Sequence, residues 1–490
     1  MKNAEIDKLN KFLKLLLIIG LIVYFFFYIF YAYRLVTYPY PISYAEGFRL
    51  DRAYKISQGH DLYQDISNYP FLTAIYPPIS PLICAGLVKI FGLSFIWGRF
   101  LSILSALLVG FLIYKIVAKE INNKLSAIIT SFLFLASPYL YRDSPVFSND
   151  HILGLLFSLI GIYLILRYRD SKKVYLAPLF FLLAVYTTPL LVAAPIAFFI
   201  YLFLKNKKIG LKIVLSFGLL GLFLFLLLNH LTNGQFYLHT VVYNLQPFSM
   251  FKVVTEYILT IQTHAIIIGL ATFYVLSEIL RKRISLLTIY FIVSAFTALS
   301  VGRLGAGAPS YMFEPIAISC ILFGLGLNRL EPLMKEKVSI IGTLVIVFLL
   351  LQLILFAYTP YVTNRLHFIP TRQDIINGQR VSEYIKNADN PVLSEDSGFV
   401  VINGKEVLLE PFVFTNLSRA GLWDQSLLVN DIKNKKFMLV LLKFDVGKSK
   451  KGEENDRFTD EMLDAIRNNY RLVDKIHVLN EDNYIYKPLI

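Results

Sequence analysis

Apolar runs alternate along the first 358 residues with short basic stretches and with longer polar ones rich in Tyr, Asp and Arg; after Tyr358 the pattern changes. A membrane-spanning helix needs about 20 apolar residues. The runs predict spans at Leu15–Tyr33, Trp97–Val117, Leu125–Leu140 and from Ile152 to Arg167. Val174–Leu204 is too long for one helix, and Thr187-Thr188-Pro189 divides it into a hairpin. Leu211–Leu228, a run ending at Arg281, a run ending at Gly302, Tyr311–Leu327 and a last run to Tyr358 complete about eleven spans. Ile79–Phe91 is apolar but too short to cross, so it is expected to lie at the interface or dip into it. Beyond residue 358, helical periodicity covers Asp374–Asn387. Strand-like runs follow at Pro391–Leu393, at Phe399–Leu409 around Asn403-Gly404, and at Phe437–Val446.

Composition agrees with a membrane protein: of 490 residues, 56% are hydrophobic and 15% aromatic. The net charge of +14 sits in the first part of the chain, because residues 359–490 carry 18 Lys+Arg against 19 Asp+Glu, or −1. Lys8, Lys11 and Lys14, Lys115, Lys119 and Lys124, Arg167–Lys173, Lys205–Lys208, Arg281–Arg283 and Arg329–Lys337 all fall on one side of the alternation. This positive-inside pattern reports topology rather than a nucleic-acid partner. It places the N-terminus in the cytoplasm of a multi-pass plasma-membrane protein, and a C-terminal α/β domain (residues 359–490) outside. Residues 1–358 form the membrane domain, with external loops at 34–96, 141–151, 229–263 and 302–310. Cys84 and Cys320 lie in apolar surroundings and predict no disulfide. The first apolar run has no small-residue cleavage site after it and reads as a retained helix.

Candidate chemistry gathers in the external loops. Glu46, close to the end of the first span, can act as a general base toward an acceptor hydroxyl; its plainer alternative is a solvated surface glutamate. Asp51, Asp61 and Asp65 follow on the same loop. Asp150 opens an apolar helix and is either a second active carboxylate or, like Asn149, an N-cap. Arg303, in a Gly- and Ala-rich loop, suits a phosphate or pyrophosphate, or else snorkels at the interface. Arg49 and Arg52 are further candidate phosphate ligands, and Asp51, Tyr76, Asp143, Tyr311 and Glu314 candidate walls of a substrate pocket. Glu314 lies three residues into an apolar run, where acids usually have a function or a partner. His230, His239 and His264 lack ligand spacing, so no dedicated metal site is expected, although a divalent metal is left open and no cofactor is firmly implied. Together these residues point to an anionic lipid-anchored or phosphate-bearing ligand meeting several carboxylates at the outer membrane face.

Tyr44-Ala45-Glu46-Gly47, Ala53, Gly59, Leu62-Tyr63, Tyr76-Pro77-Pro78, Phe91-Gly92 and Arg99-Phe100-Leu101-Ser102 resemble the first external loop and following helix of GT-C glycosyltransferases, in the branch of the protein O-mannosyltransferases and the aminoarabinose transferase of lipid A. Ser137-Pro138 with Ser148-Asn149-Asp150 resembles the second-loop acidic motif. Gly302-Arg303 to Tyr311–Pro315, Ser394–Gly398 and Gly421–Asp424 look like later parts of uncharacterised prokaryotic members. Two positions depart from the pattern: Ala45 stands where the family has the Asp of an Asp-Glu pair, and Tyr76 where a basic residue often precedes the double proline. The resemblance implies transfer of a hexosyl or pentosyl group from a polyprenyl-phosphate sugar to a lipid, glycan or protein acceptor outside the cell. Glu46 would be the base, with Asp150 as a second catalytic carboxylate, and Arg303 would take over phosphate binding. A transporter or flippase of a lipid-linked saccharide has similar hydropathy, but repeat symmetry and polar midplane residues are expected there; an envelope scaffold is a further alternative.

Overall fold

In the computed structural model, residues 2–489 are described except 148, 169–170, 245–246, 304–307, 337–339, 363–368, 390 and 449–455. The chain opens with α1 (Lys2–Val36), α2 (Tyr44–Ser57), α3 (Ile79–Phe91), α4 (Phe95–Ile121), α5 (Lys124–Leu135), α6 (Pro138–Asp143) and α7 (Asp150–Arg167). It continues through α8 (Ala177–Val185), α9 (Ala193–Lys205), α10 (Lys207–Leu231), α11 (Gln235–Tyr237), α12 (Met250–Thr263), α13 (Ala265–Leu280), α14 (Leu286–Thr297), α15 (Ala308–Tyr311), α16 (Phe313–Glu336) and α17 (Ile340–Val362). Each of the eleven apolar runs is helical. Among the described residues six helices are long and apolar enough to cross a membrane, or seven when α12 and α13, bent by 94° at their junction, count as one. The difference from eleven is one of length. At about 1.5 Å per residue, α5, α8, α9 and α14 fall short of a hydrocarbon core of about 30 Å. Ser137-Pro138 ends α5 early, and Thr187-Thr188-Pro189 keeps α8 apart from α9.

Local sequence sets the ends of these helices. Ser94, Asn123, Asn206 and Ser285 cap α4, α5, α10 and α14 through side-chain oxygens that accept first-turn amides. Asn122 closes α4 in the left-handed region, at φ +50°. α3 is the short apolar helix expected at the interface. The 229–263 stretch, expected as an external loop, differs: its second half is α12, whose buried face is Val253, Glu256, Thr260 and Thr263.

The tail holds α18 (Arg372–Lys386), α19 (Ser397–Ile402), α20 (Pro411–Arg419), α21 (Ser426–Lys433) and α22 (Asp460–Asn469) around a four-stranded sheet. Its strands are β1 (Val392–Ser394), β2 (Leu439–Leu442), β3 (Tyr470–Val478) and β4 (Glu481–Pro488), in the order β1-β2-β4-β3. β1 runs parallel to β2 with Leu393 opposite Val440, and β2 is antiparallel to β4 with Leu441 opposite Ile485. The expected strand at 399–409 is instead α19 and a turn.

The core of this tail is continuous with the start of the chain. Phe48, Phe95 and Phe147 share one apolar cluster with Leu439, Ile476 and Ile485. Ile66, Phe71 and Tyr243 share another with Phe414 and Trp423. Phe71 also pairs as a strand with Leu409, donating its amide to Leu408 O at 2.8 Å. Contact is closest at Gly47, where a Cβ would sit 2.1 Å from the Gly398 nitrogen.

Candidate active site

Glu46 lies in the first turn of α2 and is 0% exposed. Its Oε1 accepts from Arg99 Nε at 2.9 Å and from the Phe147 amide at 2.6 Å; its Oε2 accepts from Arg99 Nη2 at 2.7 Å and from the Ile42 amide at 2.9 Å. Arg99, also 0% exposed, gives its other hydrogens to the carbonyls of Leu35, Tyr38 and Tyr40 at 2.6–2.8 Å. A carboxylate holding four donors has no lone pair waiting for a substrate hydroxyl. The expectation of Glu46 as the base is therefore corrected: the Glu46–Arg99 pair fastens the end of α1, the start of α2, α4 and Phe147 together. One helical turn after Arg99, Ser102 Oγ accepts the Asn149 amide at 2.7 Å. The Arg99–Ser102 motif is thus a fastening for the second loop.

That fastening places Asp150. Asn149 is the N-cap, its Oδ1 accepting from the amides of His151 and Ile152 at 3.1 and 3.2 Å, which leaves the Asp150 carboxylate free of capping. Asp150 is 4% exposed, hydrogen-bonded by Ser80, and 3.7 Å from Arg49 Nη2. Arg49 comes one turn after Glu46 and also donates to Phe147 O at 3.1 Å. The Tyr76 and Tyr311 hydroxyls are hydrogen-bonded to each other, and both rings pack on His151, with centroids 6.2 and 4.6 Å away. Burial raises the Tyr76 phenol, as does the neighbouring Asp150 charge, while Tyr311, Arg49 and Arg303 oppose the rise.

Arg303 does not snorkel. Its guanidinium donates to Asn244 Oδ1 at 2.7 Å, and Asn244 in turn donates to Ile75 O at 3.0 Å, next to Tyr76. Lys252 Nζ donates to Arg303 O at 2.8 Å. Asp143 completes this side. Burial pushes its carboxyl up to about 6, Arg142, Arg49 and a hydrogen bond from the Ser310 amide oppose the rise, and Glu256 adds to it. Residues 304–307 of the Gly- and Ala-rich loop lie outside the described residues, as does Ser148.

The structure separates other expected residues from this group. Arg52 is held by both oxygens of Glu410 in the tail, at 3.1 and 2.9 Å, and Thr73 Oγ1 donates to the same Glu410 at 3.0 Å. Arg52 is therefore corrected from a phosphate ligand to a latch. Asp51 pairs with Lys55 at 3.1 Å, one turn along α2, and is corrected from the pocket wall to this intrahelical pair. Glu314 is buried in the first turn of α16, accepting from Tyr290 OH at 2.9 Å and from the Ala194 amide; it too is corrected from pocket wall to a partnered acid between α9, α14 and α16.

Sequence reasoning missed Lys252, Arg142 and Asn244. Lys252 and Glu256 stand four apart on an amphipathic helix, a spacing that could have revealed α12. Among the described residues, no group of three or more His, Cys, Asp or Glu side chains is placed to hold a metal ion.

Residues 76–230 match the family described as dolichyl-phosphate-mannose-protein mannosyltransferase. The whole chain is similar to the crystal structure of ArnT from Cupriavidus metallidurans in the apo state, with a TM-score of 0.63 and 13% identity over 95% of this chain and 97% of that one. It is also similar to the same protein bound to undecaprenyl phosphate, with a TM-score of 0.60, 14% identity and the same shares covered. No curated protein sequence matches the chain.

Proposed function

We propose that this chain, which has the GT-C fold of membrane glycosyltransferases, moves a hexosyl or pentosyl group from a polyprenyl-phosphate donor to an acceptor hydroxyl at the external membrane face. One observation carries the reading: at the start of a single membrane-spanning helix, an uncapped buried carboxylate, Asp150, meets the Arg49 guanidinium, with Arg303 close to the same tyrosine pair. Asp150 takes the proton of the acceptor hydroxyl as its oxygen attacks the sugar C1. The bond from C1 to the phosphate oxygen breaks, and the phosphate leaves with its negative charge, which needs cationic stabilisation rather than an acid. Arg303 and Arg49 supply that stabilisation. Tyr76, Tyr311 and Asp143 wall the sugar site. The undecaprenyl phosphate bound to ArnT, which shares this fold, supports a polyprenyl-linked donor. The acceptor is a lipid, glycan or protein hydroxyl.

The test is reconstitution in liposomes with labelled polyprenyl-phosphate sugars. Asp150→Asn is expected to lower turnover by roughly 100- to 10,000-fold while donor binding is kept, the range of general-base assistance. Arg303→Ala is expected to weaken donor binding by about 10- to 100-fold, the worth of a charged hydrogen bond. Asp150→Asn turnover within about tenfold of wild type would place the base elsewhere.

A further inference from the structure

The opposite end of the membrane unit carries a second concave site. A cavity of about 450 Å³ lies among the ends of α4, α7, α9, α13, α14 and α16. Its polar wall includes Lys205, Lys282, Arg283 and Ser285, and its apolar wall Leu166, Leu286 and Leu325. Lys205, Lys282 and Arg283 are exposed, and among the described residues their charged groups have no hydrogen-bond or carboxylate partner; Lys205 only lies over the Tyr201 ring at 5.7 Å. Two carboxylates share the wall, Glu120 and Glu278. Glu278 is held from outside by Arg329 at 3.0 Å, so counting Arg329 the described residues of the site include four cations against two acids.

The start of α14 adds to this field. Ser285 caps the amide of Thr288 at 3.1 Å, and Leu286 and Leu287, whose first-turn amides have no intrahelical acceptor, line the cavity. Unpartnered amides and the positive end of the helix dipole favour an anion there. Around the mouth the surface turns apolar: Leu280 is 83% exposed, Leu204 65% and Ile284 52%. A free anion uses only the polar wall, whereas an anionic lipid also covers the apolar rim.

We propose that this cavity binds the phosphate headgroup of an anionic phospholipid from the leaflet opposite the candidate active site. Lys205, Lys282, Arg283 and the α14 amides hold the phosphate, and the acyl chains run along Leu204, Leu280 and Ile284. The assignment is independent of the glycosyl-transfer reading, since it concerns none of the residues placed there.

The experiment uses the full chain in nanodiscs of phosphatidylcholine containing a minor share of phosphatidylglycerol, with retained lipid counted by native mass spectrometry. Phosphatidylglycerol should be enriched over phosphatidylcholine. Lys205→Gln/Lys282→Gln/Arg283→Gln should reduce that enrichment by at least about tenfold, given the worth of each cation near an anionic headgroup. Lys11→Gln/Lys172→Gln/Lys173→Gln removes equal charge from the same end outside the cavity lining and should leave enrichment within about twofold. Equal losses in both variants would reduce the effect to general surface charge and overturn the site. Displacement of the lipid by millimolar inorganic phosphate would overturn the lipid assignment in favour of a free anion.

Discussion

At the scale of single residues, the decisive feature is which carboxylates are spoken for. Glu46 and Arg99 are a buried pair in which each satisfies the other, so removing one strands the other charge. Glu46→Gln or Arg99→Met is expected to cost about 3–5 kcal/mol, as for other broken buried pairs, and to lower the thermal midpoint in detergent before any effect on chemistry. A loss of turnover in Glu46→Gln with an unchanged midpoint would return Glu46 to the active site. None of this was legible from residue 46, because its partner lies 53 positions further on. Asp150 was better signalled, since its place at a helix start is local, although the choice between Asn149 and Asp150 as cap needed the geometry. Asp143 makes a pH prediction. Its carboxyl sits near 6 against an ordinary value near 4, so between those values the folded chain holds a proton that the unfolded chain has lost. Stability conferred by this group is therefore present below about pH 4 and lost as pH rises to about 6, on the order of 3 kcal/mol. Asp143→Asn should flatten that part of a curve of thermal midpoint against pH, and an unaltered slope would show that the group is not so buried.

At the scale of elements, helices were easier to read than their lengths. The apolar runs marked every membrane helix, yet Pro138 and Pro189 shorten segments that hydropathy alone merges into full spans. Asn403-Gly404 misled for a definite reason. Both a tight hairpin and a helix C-terminus use a glycine in the left-handed region, and here Gly404, at φ +70°, follows the end of α19. The contact of α2 with α19 depends on the missing side chain of Gly47. Gly47→Ala cannot be fitted without moving backbone, because the obstacle is the Gly398 nitrogen. It should separate the two helices and raise the rate of limited proteolysis in residues 369–489, whereas Gly86→Ala, on the open face of α3, should not.

At the scale of the whole molecule, the basic helix ends gather away from Asp150. Labelling of intact cells with an impermeant amine reagent should therefore spare Lys172 and Lys282 and reach Lys435 and Lys487 in the tail. Labelled Lys172 would invert the arrangement. The tail read from sequence as a domain of its own, since its charge balance and periodicity differ from the rest. What the sequence hid is that its apolar clusters are shared with α2 and with the 63–78 stretch, a pairing between opposite ends of the chain. That sharing has a consequence for how the protein is made. Arg52 and Glu410 are separated by 358 positions, so a nascent chain inserts its helices and presents α2 long before the ribosome has produced the residues that close over it. Until residues 398–410 have been made, Arg52 has no Glu410 and Gly47 no Gly398. The surface that α2 shares with the tail is therefore finished only after residue 410 has been made.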